Sequence, residues 1–407
     1  MKKLVISVLL ILITGGAVWF LSDVPEFTPT ETGAFRPTEN PAYNTEPPSE
    51  NVVHREPSAN FRFFYNQLNA DEQEIYRTLR DGLMNTEPSI QVMSDDLDVV
   101  ADIFERIFWD YPEIFWATGA AQTQLVTRLI GQSYINFMPT YTHLGDEKNA
   151  IQVIIDARVE AFLATVDHGL SDFEVVLAVY EYIISTTAYN LDAPHHQNII
   201  SVFVHGESVC AGLSKAAQLL LNQLGIFATY VVGDAFIYGH DGPLPHAWNL
   251  VNVDGNYYHL DVTWGIPSFS EDSDITDRIT ILYDYFLVND SMVAATHHLR
   301  HGVVIPPATS IRNNFFVVNN MFHDTVDETV LLNALTASID ANQPSATLKF
   351  ANQDLFQIAQ PLLLEQLIFT AAEPRARELG LQRIHFRFRA KENLNMMTIY
   401  WVWEFGN

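Results

Sequence analysis

The chain contains one cysteine, Cys210, within the stretch GESVCAGLS from Gly206 to Ser214. The residues around it set the thiol where a loop turns into a helix. Ser208 reads as an N-cap, Leu213, Leu220, Leu221 and Leu224 recur at helical spacing, and Gly225 supplies a C-terminal stop. A thiol at a helix N-terminus meets the positive end of the backbone dipole, which favours the nucleophilic form. A cysteine on its own is more often a small buried hydrophobe. Chemistry at Cys210 therefore requires a base, and a third group to orient that base.

Both are legible downstream. HAWNLVNV (His246–Val253) and NYYHLDVTW (Asn256–Trp264) alternate in polarity and are joined by Asp254-Gly255, the signature of a two-residue type I′ hairpin. Pairing Val253 with Asn256 sets His246 opposite Thr263 and Trp248 opposite Asp261. Asp261 is then the diagonal neighbour of His246 on one face, roughly 7–8 Å away at the backbone and within reach of a His–Asp hydrogen bond. Cys210 would attack an acyl carbon, His246 would carry the proton, Asp261 would fix the imidazole, and the Cys210 N–H would be an oxyanion donor. Trp248 shares the face of His246 and either walls a cleft or packs in the core. Trp264 falls on the other face, as core. His205, five residues before Cys210, either lines the cleft or belongs to its loop. The adjacent pairs His195-His196 and His297-His298 point to opposite faces of a strand and suit no HExxH-like site, so no metal ligands are assigned.

GESVCAGLSKAAQLLLNQLGI followed by HAWNLVNVDGNYYHLDVTW resembles the core of the transglutaminase-like superfamily, over roughly Val175 to Trp264. The resemblance implies a papain-like α+β fold, with the cysteine-bearing helix packed on an antiparallel sheet and a Cys-His-Asp triad in this order. Carried over residue by residue, the nucleophile is Cys210, the base His246 and the acid Asp261. YDYFLVNDSMVAATHH, from Tyr283 to His298, resembles the segment after the core in bacterial members. The helix-rich region before the core resembles extracytoplasmic Gram-positive proteins of this type. No counterpart of the calcium sites of the animal enzymes is recognisable, and no cofactor is expected.

The flanking elements follow from composition and caps. Lys2 and Lys3 precede an apolar run from Leu4 to Leu21, so residues 1–22 are expected to be a signal sequence or an uncleaved membrane anchor. Basic residues before the run and acidic ones after it put the bulk of the chain outside the cytoplasm. Residues 23–58, with seven prolines, read as a spacer. A mostly helical region is expected over 59–145, with an Asn69/Glu72 capping box, a helix capped by Ser94 and strands at 124–129 and 133–138. The core, 146–308, opens on a long helix and a Ser171/Glu174 capping box. Residues 309–407 read as a small α+β domain of order βαβαββ, with a strand at Phe315–Val318 and a helix capped by Thr325 and Glu328.

The 407 residues are 48% hydrophobic, enough for sizeable cores, and the formal charge is −27. That charge argues against nucleic acid and anionic lipid as partners. One cysteine excludes an intrachain disulfide. Together these features point to an extracytoplasmic, membrane-tethered thiol enzyme acting on peptide or protein substrates, with cell-wall or envelope peptides suggested by location. Water as acceptor gives hydrolysis and a lysine-type amine gives crosslinking. Hydrolysis is slightly favoured, because transfer needs a shaped acceptor tunnel that excludes water. The alternative is a non-catalytic surface binding or scaffolding protein of the same fold.

Overall fold

A computed structural model describes residues 61–128, 130–236, 242–267, 281–381 and 383–403. The segments expected at 1–22 and 23–58 lie outside the described residues. The chain divides into two compact units. The first runs to Tyr285 and takes back Thr296–Pro307, and the second comprises Phe286–Ala295 and the chain from Ala308.

In the first unit the order is α1 (Ala70–Met84), β1 (Ile90–Val92), α2 (Leu97–Asp110), β2 (Ala117–Val126), β3 (Tyr134–Tyr141), α3 (Gly145–Leu163) and α4 (Asp172–Thr186). The chain continues with β4 (Ala188–Tyr189), β5 (Glu207–Ser208), α5 (Cys210–Gln223), β6 (Ala228–Ala235), β7 (Leu244–Val253), β8 (Asn256–Leu260) and β9 (His297–Leu299). The capping boxes Asn69/Glu72 and Ser171/Glu174 both form. The cap of α2 is Asp96, not Ser94: the Asp96 carboxylate accepts from the N–H groups of Asp98 and Val99, while Ser94 Oγ accepts from Asp96.

The sheet β8-β7-β6-β9 is antiparallel and carries α5 against it, an α+β arrangement. Two hydrogen bonds lock helix to sheet: Ser214 Oγ donates to the Ala247 carbonyl at 3.0 Å, and Asn249 Nδ2 donates to the Ser214 carbonyl at 3.0 Å. Leu213, Leu220 and Leu221 are fully buried, as their helical spacing requires. Ser208 does not cap α5. It lies in β5 beside Tyr189, and its hydroxyl pairs with Ser201 Oγ at 2.6 Å. The N-cap position is Val209, which offers no side-chain acceptor. Gly225, at φ +86°, ends the helix region as expected.

The hairpin forms in the expected register, from Val253 with Asn256 to Asn249 with Leu260. Asp254 and Gly255 have φ of 51° and 79°, the two positive values that a type I′ turn demands. The ladder ends at Leu260, short of the strand expected to Trp264. Asp261 Oδ1 accepts the N–H groups of Thr263 and Trp264 and turns the chain into a 3-10 segment, Thr263–Gly265.

Strand β9 closes the other edge. Gly233 of β6 pairs with His246 on one side and Leu299 on the other. A Cβ at Gly233 would clash with the backbone carbonyl of His298 and lie 2.8 Å from Trp248 Cη2. Just past β9, Arg300 grips Glu105 of α2 through two bonds of 2.7 Å.

The second unit has the order βαβααββ, from β10 (Phe322–His323) through α6 (Glu328–Asp340), β11 (Ser345–Phe350), α7 (Gln353–Leu362), α8 (Ile368–Glu378), β12 (His385–Lys391) and β13 (Met396–Val402). Phe315–Val318 is a helical turn capped by Asn314 rather than a strand, and α6 is capped by Asp327 rather than Thr325. The run Gln353–Glu378 is long and apolar enough to cross a bilayer by composition, but its Phe356, Ala359, Leu363 and Ile368 are buried in this unit's core.

Gly233→Ala is expected to open the β6–β9 edge, because the obstacle is backbone rather than a side chain that can rotate. The loss should be about 1–3 kcal/mol or more in denaturant titration. Unchanged stability, with unchanged exchange protection of the Gly233 and Leu299 amides, would contradict the close approach.

Candidate active site

Cys210 is the first residue of α5 and is partly exposed. His246, on β7, is near enough for Cys210 to help raise its pKa. Its Nε2 is committed to Asp261 Oδ2 at 2.7 Å, which leaves Nδ1 for the thiol. Asp261 is 1% exposed, at the point where β8 gives way to the turn. Its Oδ1 accepts from Thr263 N at 2.8 Å and Trp264 N at 3.2 Å, and its own N–H donates to the Tyr285 carbonyl at 3.1 Å. The structure thus brings Cys210, His246 and Asp261 together, each on an element that the hairpin and helix–sheet bonds fix.

A second imidazole meets the same oxygen. His297 Nε2 lies 2.9 Å from Asp261 Oδ2, its side chain fully buried. His297 and His298 do point to opposite faces, one inward and one exposed, as their adjacency in a strand requires. The role of His297 was not legible, because nothing local announces the pairing of β9 with β6.

The electrostatics follow from this geometry. Burial alone would lower the His246 pKa, but the charge and hydrogen bond of Asp261, aided by Cys210, outweigh it and push the pKa up to about 10. Burial would likewise raise Asp261, yet His246 and then His297 hold it well below the usual carboxylate range. For His297 burial wins over the attraction of Asp261 and lowers its pKa. Near neutral pH, His246 is therefore the imidazolium and His297 the neutral ring.

The ligand atoms of His246, Asp261 and His297 lie within 4.8 Å of one another, a set that could hold a metal ion. Here both ring nitrogens are instead directed at one carboxylate oxygen at hydrogen-bond distance. A metal would have to take the place of both N–H protons, with ligand distances of about 2.0–2.2 Å.

Trp248 takes the core alternative, and Trp264 leaves its expected core place. Trp248 is 1% exposed and lies under His246, rings stacked at 6.1 Å, with Nε1 donating to His259 Nδ1 at 3.0 Å. It is core and cannot wall an open cleft. Trp264 is the partly exposed one, 5.8 Å from the His246 ring, because strand alternation stops at Leu260. His205 is exposed, and its ring meets His195 at 6.2 Å. Gly206, at φ +70°, turns the chain between it and β5.

An α+β unit in which a helix-borne thiol faces a sheet-borne imidazole has the architecture of papain-like cores. Residues 161–262 match the family model of the transglutaminase-like superfamily. The chain is 25% identical over 168 residues to kyphoscoliosis peptidase of Homo sapiens, covering 38% of this chain and 24% of that protein. The counterpart in Mus musculus is 22% identical over 210 residues, covering 47% and 31% respectively. The chain thus spans about a quarter to a third of the length of these curated relatives. The crystal structure of a TGase is 17% identical, with a TM-score of 0.26, covering 45% of this chain and 53% of that one.

The ion pair makes stability depend on pH in a definite sense. Folding raises the His246 pKa from about 6.5 in an unfolded chain to about 10. Its contribution is complete below about pH 6.5 and fades as the pH climbs toward 10. Asp261 is shifted downward, so its contribution is present above about pH 4 and fades in acid. Asp261→Asn should therefore destabilise most between about pH 4 and 6.5, by roughly 3–5 kcal/mol. The gap from the parent should narrow on either side. A gap that stays constant from acid to alkaline pH in urea titrations would contradict the ion pair.

Proposed function

We propose that the protein is a thiol-dependent acyl-transfer enzyme acting on peptide or side-chain amide bonds, with Cys210 as nucleophile, His246 as proton carrier and Asp261 as the residue that orients it. The observation that carries this reading is the 2.7 Å bond from His246 Nε2 to Asp261 Oδ2 on a ring whose pKa the helix-borne Cys210 also raises. The match to the transglutaminase-like superfamily supports it.

With His246 as imidazolium, Nδ1–H faces the sulfur. Sγ attacks the acyl carbon, a C–S bond forms, and the carbonyl electron pair moves to oxygen. That oxyanion is stabilised by N–H groups at the start of α5, where no side chain acts as a cap. Collapse breaks the C–N bond, and His246 gives its Nδ1 proton to the departing amine, leaving a thioester and a neutral ring. The ring then takes a proton from water, whose oxygen attacks the thioester, and the acid product leaves as the thiolate–imidazolium pair is restored. An amine in place of water would form a new amide. The peptidase name of the mammalian relatives favours water. The apolar run Leu4–Leu21 supports an extracytoplasmic site of action, with peptides or proteins of the cell envelope as substrates.

Incubation with a glutamine peptide and a labelled amine separates the outcomes. Ammonia release without amine incorporation supports hydrolysis, and incorporation supports crosslinking. Either activity should vanish in Cys210→Ala and fall at least about a hundredfold in His246→Ala. Iodoacetamide should modify Cys210 about tenfold faster at pH 6 in the parent than in His246→Ala. A Cys210→Ala protein that retains turnover, or alkylation indifferent to His246, would leave a binding or scaffolding protein as the reading.

A further inference from the structure

Asp261 Oδ2 receives two imidazoles, and the proposed chemistry uses only one of them. The second, His297, is not in surface contact with solvent and has its own ordered support. Its Nδ1 is 2.9 Å from Thr296 Oγ1, which in turn is 2.7 Å from the Tyr285 hydroxyl. The ring is packed among Trp264 at 4.6 Å, Tyr285 at 5.0 Å, Trp248 at 5.1 Å and His246 at 5.2 Å. The charged or titratable groups around it are Asp261, His246, Tyr285 and the neighbouring His298.

These contacts assign the protons. A carboxylate only accepts, so His297 must donate through Nε2–H, and its Nδ1 is then an acceptor. Thr296 Oγ1–H donates to Nδ1, and the Tyr285 hydroxyl donates to Thr296 Oγ1. Donation therefore runs Tyr285 to Thr296 to His297 to Asp261 from one side and His246 to Asp261 from the other, converging on Oδ2. Reversing the His297 tautomer would leave Oδ2 facing a lone pair.

We propose that His297 is a positioning residue for the acyl-transfer site: its Nε2–H holds the Asp261 carboxylate in line with His246 and takes up part of its negative charge. The charge sharing matters for rate. A carboxylate that faces His246 alone would bind the imidazolium more tightly, making the ring a poorer acid toward the leaving amine and a rarer free base toward water. A second neutral donor on the same oxygen moderates that grip without adding a charge. Orientation matters as well. With both Oδ1 bonds made by the turn and Oδ2 fixed from two sides, the carboxylate cannot rotate away from His246.

The inference rests on the proposed thiol acyl transfer, and p-nitrophenyl acetate tests the two separately. Its leaving group needs no acid, so release of the acetyl-enzyme reports His246 as base. His297→Phe keeps a ring and removes the donor, whereas His297→Gln can present an amide N–H near the same place. His297→Phe should lower kcat about tenfold at pH 7, leave KM within about twofold, and move the rising limb of the kcat–pH profile up by about one unit. His297→Gln should restore both kcat and the limb to within about threefold of the parent. A folded His297→Phe with the parental limb, or His297→Gln as impaired as His297→Phe, would overturn the positioning role. If Cys210→Ala turns the ester over as fast as the parent, the acyl-transfer reading itself fails. If His297→Phe does not fold, 15N-histidine NMR of the parent decides. A neutral Nε2–H ring at His297 supports the assignment, and an Nδ1–H ring or an imidazolium at pH 7 overturns it.

Discussion

A single buried carboxylate joins three parts of the first unit. Asp261 ends β8, reaches His246 on β7 and His297 on β9, and takes two backbone N–H groups from the turn that follows it. A charge with 1% exposure is costly unless every acceptor position is used. Here they are used, and the same bonds that make burial tolerable also set the geometry of the site. The turn pulls Trp264 toward His246, the imidazolium stays paired, and β9 is required at the sheet edge because it brings the second ring.

The cysteine is held by different means. Its helix is tied to β7 through Ser214 and Asn249, so the spacing between Cys210 and His246 is set by helix-to-sheet packing rather than by a loop. Ser208, one residue short of the N-cap, spends its hydroxyl on Ser201 and the His196 carbonyl. A Cβ on Gly212, in the first turn, would run into that serine pair. The start of α5 is thus tightly packed on one side and lacks a side-chain cap, which suits N–H groups reserved for a developing oxyanion.

Much of this could be read from local pattern. Asp254-Gly255 between alternating segments fixed the hairpin register, and the register put His246 and Asp261 in reach of each other. The Asn69/Glu72 and Ser171/Glu174 boxes were legible because capping is a contact between residues three apart. What escaped depended on distant partners or on competition. Asp261 reads as a strand residue until its carboxylate is seen bonding the N–H groups of Thr263 and Trp264, which ends the strand and moves Trp264 out of its expected core place. Ser208 has the chemistry of a cap, but the Ser201 hydroxyl, from the preceding turn, won it. His297 lies 36 residues from Asp261, and its approach depends on Gly233 admitting β9. In the second unit the helix near Glu328 and the two closing strands were legible, while the expected first strand, Phe315–Val318, has strand-forming residues that Asn314 caps into a helical turn.

The most direct test of the central claim is to find the covalent intermediate. The protein is mixed with p-nitrophenyl acetate, quenched in acid and mapped by peptide mass spectrometry. An acetyl group confined to Cys210, formed in the parent and persisting longer in His246→Ala, is the predicted result, since the thioester forms at the helix start and needs the imidazole for release. Acetylation spread over lysines with Cys210 unmodified would contradict a nucleophilic thiol at this site.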